Sequence, residues 1–183
     1  IADSDGSAEV NDLCEGDANC VSYWSLDEGV ENHLHTYVSG YVEIADDDSL
    51  DLVDNLTLSM WINPIGWANN RPFIDKYYNS DGRSYELYMY GSDEVGLIIG
   101  NSGGGGTQIA VTTTAFNGES GKWTLLSATW DKSDGKAYIY KNGQLVYSGG
   151  SGTEDMYQNT APLRIATNYA QSVNYSGRSD EVM

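Results

Sequence analysis

Positively charged side chains are scarce in this sequence: its 183 residues include 9 Lys and Arg against 27 Asp and Glu, which gives a formal net charge of −18. A surface this acidic repels the phosphate backbone of nucleic acids and the head groups of anionic lipids, so neither is predicted as a partner. No run approaches the roughly 20 apolar residues of a membrane-spanning helix, so membrane insertion is not predicted. The same acidity is compatible with a soluble surface, with cation binding or with a neutral sugar ligand.

Cysteine and histidine are almost absent, with 2 residues of each kind. Cys14 and Cys20 lie close together, and a zinc site would need two further ligands nearby, whereas the only histidines are His33 and His35. We therefore predict a Cys14–Cys20 disulfide, which would stabilise a local turn by roughly 2 kcal/mol in the chain-entropy model. Disulfides persist in oxidising compartments, so this prediction places the protein outside the cell or on the cell surface.

A helical hydrophobic period is also missing, and short runs with a period of two take its place. Asn55–Asn63 is the clearest strand, with alternate residues assigned to the core and to an outer face that carries Trp61. Trp123–Trp130 is apolar on both faces and is predicted to be a central strand. Asn142-Gly143, between two further strands, is the signal of a type I′ hairpin. Many short strands separated by turns predict an all-β sandwich or closed barrel.

The domain organisation follows from a change in composition near residue 20. Residues 1–20 are polar, acidic and aperiodic, and we interpret them as an N-terminal arm or linker that ends in the cysteine loop. Residues 21–183 are interpreted as one β domain. A chain of 183 residues buries roughly 70% of its surface on folding, so this domain needs neither a metal nor a disulfide merely to fold.

Several motifs resemble, in their order along the chain, those of the laminin G-like, concanavalin A-like group of domains. They are Val21–Gly29, which ends in Asp-Glu-Gly, followed by Tyr41–Ala45, Leu56–Pro64, Gly121–Thr124, Tyr138–Gly143, Pro162–Ala166 and Gly177–Val182. The resemblance implies a two-sheet antiparallel jelly-roll sandwich over residues 21–183. This fold hosts lectins, adhesins, glucanases and spacers, so it does not by itself assign a ligand.

The sequence departs from the family pattern at two places. The stretch from Gly29 to Tyr41 is shorter than is usual in the family, and the chain stops at Met183, where the family normally continues with another half strand. If that half strand is missing, an open sheet edge could accept a strand from a second chain, so self-assembly through this edge is one predicted mode of association.

The resemblance also implies a structural calcium site. In the resembling families an acidic residue of the Gly-x-x-Asp-Glu-Val element often helps to bind Ca²⁺ together with the loop after the opening strand. This assigns Asp180, Glu181 and Asp27 as calcium ligands. Calcium takes about six to eight oxygen ligands, many of them backbone carbonyls, so side chains supply only part of such a site. The alternative is that these acids are solvated at strand ends.

Outward-facing and loop aromatic residues are the candidate sugar-binding groups, because a ring can stack on the apolar face of a sugar. The alternative is that loops cover the rings on the sheet face. The loop candidate combines an indole with amides and a guanidinium, and binding groups concentrate on loops. The candidate ligand-binding residues are Trp61, Tyr88 and Tyr90 on one predicted outer sheet face, and Trp67, Asn69, Asn70 and Arg71 in a loop.

Catalytic motifs are not found in the sequence. Glucanases of this fold carry Glu-x-Asp-x-Glu, which is missing here, and the outward-facing Glu86 has no acidic residue at i+2 or i+4. No nucleophile elbow accompanies His33 and His35. The sequence therefore predicts that the protein is not an enzyme, which disfavours a glycan-degrading function.

Two further patterns complete the functional prediction. Asn55 and Asn174 match the N-glycosylation acceptor pattern, which also occurs frequently by chance. We predict a non-catalytic extracellular binding or adhesion module whose partner is a glycan or a cell-surface protein. The alternative is a structural subunit or spacer of a cell-surface assembly, which the acidic arm and the open edge would serve.

Overall fold

The computed structural model describes residues 34–36, 40–66, 68–79, 82–91, 94–102 and 107–183. In these ranges the chain forms twelve β-strands and one short 3-10 turn, Asp48–Leu50. No helix in this part of the chain is long and apolar enough to cross a membrane. The strands are β1 (Leu34–Thr36), β2 (Val42–Ile44), β3 (Asn55–Pro64), β4 (Arg71–Tyr77), β5 (Arg83–Tyr90), β6 (Glu94–Gly100), β7 (Thr107–Thr113), β8 (Thr124–Asp131), β9 (Lys136–Lys141), β10 (Gln144–Gly149), β11 (Leu163–Ile165) and β12 (Gly177–Asp180).

The strands pair into two sheets of six strands each. The first sheet has the order β1-β12-β3-β8-β9-β10, and the second has the order β2-β11-β4-β5-β6-β7. Every pairing between these strands is antiparallel. The predicted all-β, two-sheet antiparallel jelly-roll sandwich is therefore confirmed.

A hydrophobic core joins the sheets, and the period of two decides which side chains reach it. A shift of register by one residue would turn the apolar set of a strand to solvent. Burying one large apolar side chain stabilises the fold by roughly 1.5–3 kcal/mol, so the alternation specifies the register strongly. The core residues of β3 and β5 are Leu56, Leu58, Met60, Ile62, Tyr85, Leu87 and Met89.

The β9–β10 hairpin has the predicted turn. Asn142 and Gly143 have φ angles of 51° and 77°, the positive values that a type I′ turn requires. The Asn142 side chain also accepts a hydrogen bond from the backbone N–H of Leu125 at 2.9 Å, which ties the turn to β8. Since β8 lies between β3 and β9, the prediction of a central strand in this segment is confirmed.

The last strand lies inside its sheet. Ser179 of β12 pairs with Leu34 of β1 on one side and with Ile62 of β3 on the other. Met183 continues the pairing with β3, because its backbone N–H and C=O each form a 2.8 Å hydrogen bond with Ser59. Strand β12 is therefore not a sheet edge, and self-assembly through an edge at Met183 stays a prediction.

Several predictions fall outside the described residues. They are the N-terminal arm (residues 1–20), the Cys14–Cys20 disulfide, the calcium ligand Asp27 and the loop indole Trp67. These assignments and the domain boundary at residue 21 stay predictions.

Candidate functional site

The outer face of the first sheet carries an indole near its middle. Trp61 of β3 has Asp180 of β12 as its neighbour on one side and Leu125 of β8 on the other. Alternation along β3 turns Trp61 away from the buried Met60 and Ile62, and its own side chain is partly buried. The outward direction predicted for Trp61 is confirmed.

A turn after β12 brings Glu181 to Trp61. Glu181 has a φ of 46°, in the left-handed region that few non-glycine residues adopt, and its backbone N–H donates to Oδ1 of Asp180 at 2.8 Å. Nε1 of Trp61 donates to Oε2 of Glu181 at 3.0 Å, across 120 residues of sequence. This hydrogen bond orients the indole, and a carboxylate that accepts one hydrogen bond has lone pairs for more.

Trp123 completes a cleft over this face. It lies just before β8, on the same side as Leu125, and its side chain is 39% exposed. Together with Trp61, Asp180 and Glu181 it lines a cleft of about 290 Å³, which we call the tryptophan cleft. The sequence predicts that Trp123 belongs to a strand that is apolar on both faces, and this pattern does not reveal its role in the cleft. Its spacing of two residues from Leu125 is the signal that assigns it to the outer face.

The prediction that Trp61, Tyr88 and Tyr90 share one sheet face is wrong. Strand β3 belongs to the first sheet and β5 to the second, so their outward residues lie on opposite sides of the sandwich. The period of two shows that each residue points outward, but sheet membership depends on pairing partners that are distant in sequence.

Tyr88 and Tyr90 differ in what they offer a ligand. Tyr88 lies opposite Gly96, and a Cβ atom at position 96 would be 2.6 Å from its ring. Tyr88 is 6% exposed, and burial is the main cause that raises its pKa to about 12. Tyr90 is 43% exposed, and its ring meets that of Tyr88 edge-on with 5.9 Å between centroids. Of the pair, Tyr90 therefore presents the ring surface to solvent.

The predicted polar loop lies beside Tyr90. Oδ1 of Asn69 accepts a hydrogen bond from the backbone N–H of Gly91 at 3.0 Å, and Asn70 has a φ of 55°. Arg71 is the first residue of β4 and is partly buried. Asn69 and Asn70 thus shape the turn into β4 at the end of the second sheet where Tyr90 lies.

A comparison of the sequence with protein families identifies the architecture. The sequence model of the family described as the concanavalin A-like lectin/glucanases superfamily matches residues 36–183. The chain belongs to this superfamily. The resemblance to laminin G-like and concanavalin A-like domains is therefore confirmed, and no curated protein sequence matches the chain.

Solved structures of several other domains share the fold of this chain. The CBM40 of the Ruminococcus gnavus IT-sialidase has a TM-score of 0.67 at 11% identity, over 90% of this chain and 91% of that one. Domain 4 of AbnA, a GH43 extracellular arabinanase from Geobacillus stearothermophilus, has a TM-score of 0.61 at 16% identity, over 88% of this chain and 73% of that one. Domains LG4-5 of the mouse laminin alpha1 chain have a TM-score of 0.61 at 14% identity, over 82% of this chain and 40% of that one. At these identities the likeness concerns the fold alone.

A row of charged side chains crosses the outer face of the second sheet of this concanavalin A-like domain. Glu43, Arg164, Asp75 and Glu86 are successive neighbours across β2, β11, β4 and β5. Nε of Arg164 lies 2.9 Å from Oε2 of Glu43, and Nε of Arg83 lies 2.9 Å from Oε2 of Glu86. Each ion pair offsets its own charges, and we call these five side chains, Arg83 included, the charged row.

Asp75 is the most deeply buried acid of the charged row, with 1% of its surface exposed. Burial is the main cause that raises its pKa to about 8, and the Glu86 carboxylate raises it further, while Arg83, Arg164 and the backbone of Tyr169 act in the opposite direction. Neither oxygen of Asp75 has a partner in good hydrogen-bond geometry within the described ranges. A carboxyl group whose pKa is raised to about 8 is mainly protonated at neutral pH.

Asp75 and Glu86 form an acidic pair that spacings of i+2 and i+4 do not reveal, because the two residues face each other across neighbouring strands β4 and β5. Glycosidases place two carboxyl groups on either side of the bond they cleave. Here the two residues are 1% and 8% exposed, so a sugar has no room between them. The charged row is thus part of the architecture rather than a hydrolytic site.

The predicted calcium ligands Asp180 and Glu181 lie next to each other in the tryptophan cleft, where Glu181 accepts the hydrogen bond from Trp61. Within the part of the chain that the structure describes, no three His, Cys, Asp or Glu side chains lie close enough to hold a metal ion. Calcium binding stays a prediction, because Asp27 falls outside that part.

The two predicted glycosylation sites differ in accessibility. Asn55 is exposed at the start of β3. Asn174 is partly buried, and its Oδ1 accepts a hydrogen bond from the Thr167 hydroxyl at 2.5 Å. A glycan on Asn55 would therefore require less rearrangement of the sandwich than one on Asn174.

Proposed function

We propose that this domain is a non-catalytic module that binds neutral glycans in the tryptophan cleft. The observation that carries the proposal is the convergence of two indoles, Trp61 and Trp123, and two carboxylates, Asp180 and Glu181, around one cleft of about 290 Å³. Aromatic rings stack on the apolar C–H face of a sugar, and carboxylate oxygens accept hydrogen bonds from its hydroxyl groups.

Preorganisation favours binding at this site. The 3.0 Å hydrogen bond from Trp61 to Glu181 holds the indole in place before a ligand arrives. Binding to a side chain that is already ordered avoids the loss of roughly 0.5–1.5 kcal/mol that immobilising a flexible side chain costs. Trp123, with 39% of its surface exposed, offers the more accessible of the two rings.

The charge of the site selects the class of glycan. The net charge is −18, and two carboxylates line the cleft itself. Sialylated, uronic-acid and sulfated sugars would be repelled, whereas neutral sugars would not. Among solved structures with this fold, the R. gnavus CBM40 has been determined bound to alpha2,3 sialyllactose and the G. stearothermophilus AbnA domain in complex with arabinotriose. They support glycan binding on this fold, and the local charge directs our proposal to uncharged chains.

The experiment is a glycan array followed by calorimetric titration with the best neutral ligand. We expect Trp123→Ala to weaken binding by about fivefold, the equivalent of roughly 1 kcal/mol for a lost stacking contact. Its melting temperature should stay within a few degrees of the wild type, because the change lies at the surface. Tyr90→Ala is the matched control, since it removes an aromatic ring of similar exposure from the opposite sheet.

Trp67→Ala tests the other predicted site. If it abolishes binding while Trp123→Ala has no effect, the ligand binds in the loop and the tryptophan cleft is not the site. If no glycan binds at millimolar concentration and the protein self-associates, the proposal is wrong and the structural-subunit alternative is favoured. We also infer an extracellular location, which the Cys14–Cys20 disulfide would support.

A further inference from the structure

Lys76 of β4 is fully buried, although a charged ammonium is costly to remove from water. Its Nζ donates to Oδ1 of Asp46 at 2.6 Å, and to the backbone oxygens of Asn159 at 3.1 Å and Ala161 at 3.0 Å. Oδ1 of Asp51 lies 3.1 Å from the same nitrogen. Two carboxylate and two carbonyl oxygens thus converge on one point, and we call them the lysine cage.

The walls of the lysine cage are held by contacts that do not involve the ammonium. Nδ2 of Asn159 donates to the Gly82 carbonyl at 3.0 Å, and Oδ1 of Asn159 accepts from the Ala161 N–H at 3.0 Å. The Asp51 N–H donates to the Asp48 carbonyl at 3.2 Å, at the end of the 3-10 turn. These contacts hold the loop backbone at Asn159, Ala161 and Asp51 independently of the ammonium.

This donor set is that of a hard-cation site. Calcium binds carboxylate and backbone carbonyl oxygens at about 2.3–2.6 Å and completes its shell with water. The cage oxygens lie 2.6–3.1 Å from Nζ, so a movement of a few tenths of an ångström would suit Ca²⁺. The ammonium neutralises one of the two negative charges of Asp46 and Asp51, whereas Ca²⁺ would neutralise both.

We propose that the lysine cage is a calcium-type cation site whose resident cation is the ammonium of Lys76. In the native protein the three N–H donors and their methylene stem fill the site and exclude a metal ion. Removing the ammonium while leaving its space open creates a Ca²⁺ site. This proposal is independent of glycan binding, because Lys76 lies in the second sheet and the tryptophan cleft on the first.

The test compares Lys76→Ala with Lys76→Met in the full chain. Both variants remove the charge, but Met keeps the volume of the stem and Ala leaves room for a hydrated ion. In chelator we expect both melting temperatures to fall by roughly 10 °C, because removing one partner of a buried ion pair is strongly destabilising. In millimolar CaCl₂ we expect Lys76→Ala, and not Lys76→Met, to recover at least half of this loss.

Terbium gives a second readout, because Tb³⁺ accepts calcium ligands and emits when a nearby tyrosine is excited. Tyr85 lies opposite Lys76 on β5. We expect sensitised emission from Lys76→Ala and its loss when Asp46→Asn is added. Lys132→Ala is the matched surface control, because Lys132 also contacts two carboxylates, those of Asp54 and Asp155, but in an exposed position.

Three outcomes would overturn the proposal. The first is an equal calcium response in Lys76→Ala and the wild type, and the second is an equal response in Lys76→Ala and Lys76→Met. The third is a Lys76→Ala chain that is unfolded in chelator and stays unfolded when Ca²⁺ is added. The proposal instead predicts that Ca²⁺ folds such a chain, which circular dichroism would show. All variants are measured in an Asp180→Ala background, so that the separately predicted calcium ligand does not contribute.

Discussion

Replacing Asp75 with Asn should change how the stability of the domain depends on pH. The pKa of Asp75 is raised to about 8, above its ordinary value of 3.8, mainly by burial. Between about pH 5 and pH 7 the folded state therefore keeps a proton that the unfolded state has lost. Stability falls as pH rises through this window, by at most about 1.4 kcal/mol for each pH unit. Asn carries no charge at any pH, so Asp75→Asn should remove this dependence.

The magnitude can be measured by urea unfolding at pH 5, 6, 7 and 8, followed by tryptophan fluorescence. We expect Asp75→Asn to gain stability over the wild type with increasing pH, by roughly 2–3 kcal/mol between pH 5 and pH 7. Glu43, Glu86, Arg83 and Arg164 of the same face remain in both proteins, so the difference reports Asp75 together with its coupling to Glu86.

Asp134→Asn is the control for this experiment. Asp134 is exposed, and a hydrogen bond from the Tyr138 hydroxyl is the main cause that lowers its pKa. Its carboxylate is ionised in both the folded and the unfolded state above pH 5, so its replacement should give a constant offset over the same range. Parallel stability curves for Asp75→Asn and the wild type would refute our account of the charged row.

Three further predictions follow from the sequence and the packing. Mass spectrometry of the non-reduced protein should find no free thiol at Cys14 and Cys20, and two alkylatable cysteines would remove the disulfide. If calcium binds at Asp180, chelation should lower the melting temperature, and Asp180→Ala should abolish this effect. At a calcium concentration of a hundred times Kd, the stability lost on chelation is roughly 2.7 kcal/mol. Gly96→Ala should destabilise the domain by about 1–3 kcal/mol in a urea titration, because its Cβ would lie 2.6 Å from the ring of Tyr88. The same substitution should cost less in a Tyr88→Ala background, where the ring is gone.

The strands that local pattern could predict are those in which each residue follows the period of two. Strand β3 and the β9–β10 hairpin are of this kind, since burial alternates along β3 and Asn142-Gly143 supplies its own turn. Strand β4 escaped prediction because it carries Lys76 and Asp75 in buried positions, against the usual exposure of charged residues. The burial of Lys76 depends on partners such as Asp46, 30 residues away, which no local pattern contains.

The candidate site was predicted in parts but not as a whole. Trp61 was assigned to sugar binding, and Asp180 and Glu181 were assigned to calcium, each from its own segment. Their proximity depends on the pairing of β3 with β12, which brings residues 120 positions apart into hydrogen-bond contact. The same dependence on distant pairing explains why Tyr88 and Tyr90 were placed on the wrong side of the sandwich.

The positions of β11 and β12 have a consequence for folding. Each of these strands lies between two earlier ones, β11 between β2 and β4 and β12 between β1 and β3. The meanders β4–β7 and β8–β10 contain only local pairings, so we expect them to form soon after synthesis. The interior pairings of both sheets can be completed only after residues 163–180 have been synthesised. Until then we expect β3 and β4 to expose unpaired backbone groups, which favours strand exchange and aggregation with neighbouring chains. Each sheet is therefore completed from within, by strands that leave the ribosome after all their neighbours.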